Sequence, residues 1–233
     1  MLRKSGVESS SFIQTGPRKN NILTEYVIAA DEVGRGCFAG EVFVCGVRIP
    51  KTLARIAGVD DSKKLSASKR ESLYPTLTKH PDIAWVLITR SVSVIDRIGI
   101  DKATTEAFID AVTVLHSGLT IPGDTASIKI DGKPIWNRDR FPNAPTNFIV
   151  KGDATEWEIG AASIIAKVSR DKYMEALGLE HPEYNWGQNK GYGTADHISA
   201  IKRYGLTEHH RRTFCKNHTA NSQDVLDFFK DMK

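Results

Sequence analysis

The chain has 233 residues, 40% of them apolar and 26% charged, with a net charge of +4. This suits one globular domain with a small appendage, and the mild basic excess is weak evidence for a polyanionic partner. No apolar run approaches the roughly 20 residues that a spanning helix needs, and three scattered cysteines, Cys37, Cys45 and Cys215, form no disulfide framework and fit a reducing cytoplasm.

Residues 1–25 carry Arg3, Lys4, Arg18 and Lys19 without an apolar h-region, so they read as a flexible N-terminal extension and not a secretory signal. The apolar run Tyr26–Ala30 then reads as a buried strand that delivers Asp31 and Glu32, followed at once by the turn Gly34-Arg35-Gly36. Val42–Ile49 is a second strand, and residues 60–65 form a polar loop. Ser66–Lys79 has helical character that Pro75 should kink or shorten. Ala84–Thr89 is a strand and Lys102–Leu115 a helix. Ser127–Ile130 is a strand ending in Asp131, and Phe148–Val150 a strand followed by Lys151-Gly-Asp153.

Thr155–Leu177 is the clearest helix. Thr155 and Glu158 have the spacing of a capping box, and Gly178 stands just past the predicted end. Ala161, Ile164, Ile165 and Val168 make its apolar stripe, and Ser163, Lys167 and Arg170 a separate polar one. Ala195–Tyr204 and Asp224–Met232 read as C-terminal helices. Strands first, then strands alternating with helices, predict an α/β sandwich around one mixed sheet.

Three apolar strands run into carboxylates: Asp31 and Glu32, Asp131, and Asp153. Strand ends are where α/β sheets place their chemistry. Acids gathered there repel unless a cation neutralises them, and an all-oxygen set favours Mg²⁺ or Mn²⁺ over zinc. Two such ions about 4 Å apart would activate water and stabilise a leaving oxygen in phosphoryl displacement. For any one of the three places a solvated turn acid is the better reading; the three together point to a metal site. Neighbouring residues on a regular strand face opposite ways. Asp31 and Glu32 are therefore expected to share a site only if the strand bends or ends between them.

Lys63, Lys64, Lys167, Arg170 and Lys190 are candidate phosphate contacts, with Ser62 adding a hydrogen bond, although a solvated charged face is the common fate of lysines. His209, His210, Cys215 and His218 match no zinc-finger spacing; a structural role, or a duplex contact through Arg211 and Arg212, is the better reading. His197 reads as a satisfied structural histidine.

The motifs Asp31-Glu32-Val-Gly-Arg-Gly36, Asp61-Ser-Lys-Lys-Leu-Ser66, Ile130-Asp131-Gly132 and Val150-Lys-Gly-Asp153 stand in order along the chain. They continue with Ala161–Val168 plus Arg170-Asp171, Asn189-Lys-Gly-Tyr-Gly-Thr194 with His197, and His209–Phe214. Over residues 26–216 the chain resembles ribonuclease HII. The resemblance implies a ribonuclease H-like catalytic domain with a C-terminal helical part, and leaves residues 217–233 as a tail or helix. It implies a metal-dependent endonuclease that cuts the RNA strand of RNA–DNA hybrids. It also implies incision on the 5′ side of single ribonucleotides in duplex DNA, leaving 3′-hydroxyl and 5′-phosphate ends. Asp31, Glu32, Asp131 and Asp153 sit where the family's metal-binding acids sit, Gly34, Arg35 and Gly36 at its 2′-hydroxyl-sensing turn, and Tyr192 at its junction tyrosine.

The alternatives are a ribonuclease HIII-like nuclease, which usually carries an extra N-terminal domain and a lysine where Arg35 stands, and a non-catalytic hybrid-binding module. Gln223–Phe229 loosely resembles a sliding-clamp-binding peptide, although an amphipathic terminal helix packed on the body is the stronger reading. A monomer without membrane attachment is expected.

Overall fold

In the computed structural model, the structure describes residues 11–14, 23–60, 62, 64–133 and 137–219. Six strands form one mixed sheet in the order β1-β4-β3-β2-β5-β6. They are β1 Ser11–Gln14, β2 Glu25–Val33, β3 Val42–Pro50, β4 Ala84–Arg90, β5 Thr125–Asp131 and β6 Thr146–Ile149. β2 runs antiparallel to β3 and parallel to β5. The helices are α1 Ala67–Thr78, α2 Val92–Ile98, α3 Ile100–Ser117, α4 Gly152–Thr155, α5 Trp157–Glu180, α6 Trp186–Asn189, α7 Ala195–Tyr204 and α8 Arg212–Cys215.

β2 and β3 are almost wholly apolar because both of their faces are covered. On one face Val27, Ala29, Cys45 and Val47 pack with Ile159, Ala162, Ile165 and Ala166 of α5. On the other, Ile28, Ala30, Val44 and Val86 pack with Ala107, Ala111 and Leu115 of α3. Gly46 lets α3 come close, since a Cβ there would meet the Leu115 side chain at 2.8 Å.

Four expectations are corrected. Part of the N-terminal extension is an edge strand, since β1 pairs antiparallel with β4. Helix α1 runs through Pro75 to Thr78, with Lys79 N–H still donating to the Pro75 carbonyl at 3.1 Å. The proline sits in the last turn, where a lost bond costs the helix little. The capping box does not form: Thr155 ends α4, α5 starts at Trp157, and its N-cap Glu156 makes no side-chain cap bond. Nor does Gly178 end α5, which continues to Glu180. Gly178 is instead the point where α6 crosses, and a Cβ there would lie 2.6 Å from the Gly187 nitrogen. Helix α2, begun by Ser91 accepting from Val94 N–H, is an element the periodicity did not signal. Asp224–Met232 lies outside the described residues.

Beyond α5, a smaller cluster of Met174, Leu177, Tyr184, Trp186, Ile201 and Cys215 carries the C-terminal part. Its polar atoms are matched by one consistent set of tautomers. Thr207 N–H donates to His210 Nδ1 at 2.9 Å, which leaves the proton on His210 Nε2 to be donated to His197 Nε2 at 3.1 Å. His197 Nε2 also accepts from Trp186 Nε1 at 3.0 Å, and His197 Nδ1 donates to the Tyr192 carbonyl at 2.9 Å. His197 is thus a satisfied core histidine. Burial, then its histidine neighbours, hold His210 down to about 3. A base with a depressed folded pKa stabilises above its unfolded value and loses that contribution as pH falls. The protein is predicted to lose ~1–2 kcal/mol between pH ~6.5 and ~5. His210→Gln should be less stable at pH 8 but show a shallower acid slope in denaturant titrations; an unchanged slope would contradict the assignment.

Candidate active site

The parallel ladder between β2 and β5 stops at Ala30 opposite Ile130. Past that point β2 remains paired to β3, with Asp31 opposite Cys45 and Glu32 opposite Val44. The strand therefore does not end between the two acids. What ends is its pairing with β5. Asp31 follows the face of Ala29, under α5, and Glu32 the face of Ala30, towards α3. At the open end of the ladder both carboxylates meet Asp131, the last residue of β5, and carboxylate oxygens of all three lie within 4.8 Å of one another.

Two of the acids, Asp31 and Asp131, are held by hydrogen bonds from the main chain and from α5. Asp31 is buried and its Oδ1 accepts from Glu32 N–H at 2.8 Å. Ser163, on the buried face of α5, also donates to the Asp31 carboxylate, and its hydroxyl meets Ser62 Oγ at 2.7 Å. Asp131 Oδ1 accepts from Gly152 N–H at 2.7 Å. That bond ties β5 to α4, whose first turn carries the buried Asp153. Asp153 follows Gly152 directly in the chain but is not one of the three carboxylates gathered within 4.8 Å.

The electrostatics follow from this crowding. Burial raises the Asp31 carboxyl well above the usual carboxylate range, and the Glu32 and Asp131 charges raise it further. Burial beside Asp31 likewise pushes the Cys45 thiol up. A carboxylate trio of this kind, with oxygen donors only, has the chemistry of a hard divalent-cation site. Lys129, two residues before Asp131, is already committed to Glu156 at 2.6 Å and Glu158 at 3.3 Å.

Around the acids, Gly34 turns at φ +90°, and Arg35 is exposed, pairing with Asp101 at the start of α3 and lying 3.9 Å from Glu32. Asp101 carried no sequence signal, because its partner lies 66 positions away. Tyr192 is 44% exposed, and burial of its inner part together with the adjoining Cys37 thiol raises its phenol above the usual value.

The proposed phosphate contacts divide. Lys64 is exposed, and Lys63 lies outside the described residues. Lys167 pairs with Asp171 at 2.8 Å, and Lys190 with Glu175 at 2.7 Å. Ser62 is buried against Ser163, so it braces the Asp31 support and does not face a duplex. Arg170 is corrected outright. It is fully buried, and its three guanidinium nitrogens donate to the carbonyls of Glu41, Ala39 and Lys190. Of the two readings open for Arg211, a structural role or a duplex contact, burial favours the structural one: it is equally buried and donates to the carbonyls of Gly40 and Arg35. Both interior roles depend on contacts more than 100 positions apart in several cases, which helix-face spacing does not reveal.

The family model described as Ribonuclease HII matches residues 28–221. Ribonuclease HII of Bacillus cytotoxicus is 38% identical over 216 residues, covering 91% of this chain and 78% of that protein. The Rickettsia canadensis enzyme of the same name is 41% identical over 191 residues, covering 82% and 90%. Among solved structures, ribonuclease H2 of Pyrococcus horikoshii superposes with a TM-score of 0.67 at 24% identity over 88% of this chain and 99% of that one. An Archaeoglobus fulgidus PCNA:RNase HII complex gives 0.65 at 23% identity over 81% and 94%. A Bst-RNase HIII in complex with Mn²⁺ gives 0.61 at 19% identity over 88% and 70%. These structures share the fold. With its trio of acids at the open end of a ribonuclease H-like sheet, the chain belongs to the ribonuclease HII family and is a ribonuclease H-type nuclease.

Proposed function

We propose that Asp31, Glu32, Asp131 and Asp153 hold divalent cations, Mg²⁺ or Mn²⁺, and that the protein uses them to hydrolyse the RNA strand of hybrids and to incise 5′ of single ribonucleotides in duplex DNA. The observation that carries this reading is the meeting of three carboxylates within 4.8 Å, one of them buried and strongly disfavoured as an anion. Bound cations would supply an activated water and charge stabilisation for the departing 3′ oxygen. Ser163 and the Glu32 N–H orient Asp31, and the Gly152 N–H orients Asp131, so the donors are set before substrate arrives. No side-chain nucleophile is needed, and the products carry 3′-hydroxyl and 5′-phosphate ends.

Recognition rests on the Gly34–Gly36 turn and Tyr192. The 2′-hydroxyl is the one group that separates a ribonucleotide from its deoxy neighbour. Backbone groups of a glycine turn reach it without a Cβ in the way, and the exposed phenol of Tyr192 offers a flat wall to the sugar. Lys64 is exposed, as a phosphate contact requires.

Burial and repulsion of Asp31 lead to a test. Its raised folded pKa means that stability is full while the group is protonated and is lost as pH rises through that value. In EDTA at pH 8, Asp31→Asn should melt above wild type by at least the ~2–4 °C that ~1 kcal/mol represents in a chain of this size. The gap should close as pH falls into the carboxylate range. Mn²⁺ should stabilise wild type and not the variant, and the variant should bind substrate without turning it over. A wild type indifferent to Mn²⁺ would sink the metal assignment.

A second reading concerns the tail. The Archaeoglobus fulgidus neighbour was solved with PCNA, and Gln223–Phe229, which lies outside the described residues, has the glutamine and Leu/Phe anchors of a clamp peptide. Deleting residues 222–233 should abolish clamp pull-down and leave hydrolysis intact; absence of pull-down by the full chain would end the idea.

A further inference from the structure

The segment between Arg35 and Glu41 follows the acids and contains no regular strand beyond an isolated bridge. It is held from beneath by two fully buried arginines. Arg170 donates through Nε to the Glu41 carbonyl at 3.1 Å, through Nη2 to Ala39 at 3.1 Å, and through Nη1 to Lys190 at 2.9 Å. Arg211 donates through Nε to Gly40 at 2.9 Å, through Nη1 to Arg35 at 2.8 Å, and through its own N–H to Phe38 at 2.7 Å. Five carbonyls between residues 35 and 41 are thus tied to two residues, four of them through the guanidinium groups and one through the Arg211 main chain.

Burying a guanidinium is costly, and buried charges are ordinarily paired with carboxylates. Here the bonded partners of both are backbone carbonyls, and Arg211 Nη2, also buried, has no hydrogen-bond partner. A fold that needed only to close this loop over the core could use apolar side chains. Departures from local economy of this kind cluster at functional sites. Arg170 bonds both to the 39–41 stretch that follows the Gly34–Gly36 turn and to the Lys190 carbonyl two residues before Tyr192. The two segments also touch directly. Phe38 N–H donates to the Gly191 carbonyl at 2.7 Å, and a Cβ on Gly191 would lie 2.5 Å from the Ala39 oxygen. A Cβ on Gly34 would collide with the Arg170 guanidinium itself.

We propose that Arg170 and Arg211 are positioning residues for ribose recognition: their carbonyl bonds fix the Gly34–Gly36 turn at a set distance from Tyr192, and that distance selects a ribonucleotide–deoxyribonucleotide junction. The inference rests on the reading of that turn and Tyr192 given above. Lysine keeps the charge but lacks the planar fork that serves several carbonyls at once.

The test compares kcat/KM on a DNA duplex holding one ribonucleotide with kcat/KM on a long RNA–DNA hybrid. The proteins are wild type, Tyr192→Ala, Arg170→Lys, Arg211→Lys and Phe214→Leu. The last is a milder change that removes the ring lying 5.3 Å from the Arg211 guanidinium and leaves the turn itself untouched. Thermal denaturation accompanies each assay. In the lysine variants the junction-to-hybrid ratio is expected to fall by about tenfold, towards that of Tyr192→Ala, with a smaller fall in Phe214→Leu. A merely structural role would lower both activities together with the melting temperature and leave the ratio where it was. The wild-type ratio in every variant that folds would overturn the inference. A wild type that cuts neither substrate would instead overturn the functional reading beneath it.

Discussion

Mutual repulsion of carboxylates at the end of a strand ladder is the constraint on which the rest of this structure depends. Asp31, Glu32 and Asp131 are brought together by the sheet and not by flexible loops. β2 and β5 lie side by side only as far as Ala30 and Ile130. The opening beyond them admits acids from both faces of one strand. The Ser163 hydroxyl and backbone N–H groups then hold Asp31 and Asp131 in place. Lys129, the nearest lysine along β5, is paired with Glu156 and Glu158. The charge left at the site is what a divalent cation would neutralise.

The rest of the fold serves that arrangement. Two apolar central strands demand cover on both faces, and α3 and α5 provide it. α5 does a second job through Ser163 and Arg170, one supporting an acid and the other the turn that follows it. The C-terminal cluster, with its chain of imidazoles, ends at the carbonyl of Tyr192. The buried groups of α5 and of the 197–211 region therefore bond the segment that follows the acids and the stretch beside Tyr192.

Much of this was legible in the sequence, and the part that was not has a common physical cause. Buried strands announce themselves as short apolar runs, so β2 to β5 and the acids at their ends were readable one residue at a time. A polar stripe on α5 was also readable, yet Ser163 and Arg170 face the interior while Lys167 pairs within its own helix. Helical spacing reports which residues share a face, not what that face meets. The same limit explains Gly178, which resembles a helix stop locally but exists for a crossing with α6. It also explains Arg211, which resembles a surface cation until the 35–41 segment is laid over it. That Asp31 and Glu32 share a site on an unbroken strand was hidden because the answer lay in a neighbour: the ladder to β5 stops there, and no local signal in β2 records it.

The most direct measurement is an incision assay on a DNA duplex containing one ribonucleotide, with Mg²⁺, Mn²⁺ or EDTA, read on a denaturing gel beside Asp131→Asn. The account predicts a single metal-dependent cut 5′ of the ribonucleotide by wild type and none by the variant, with substrate binding retained. Cutting that survives EDTA, or that persists in Asp131→Asn at the wild-type rate, would contradict it.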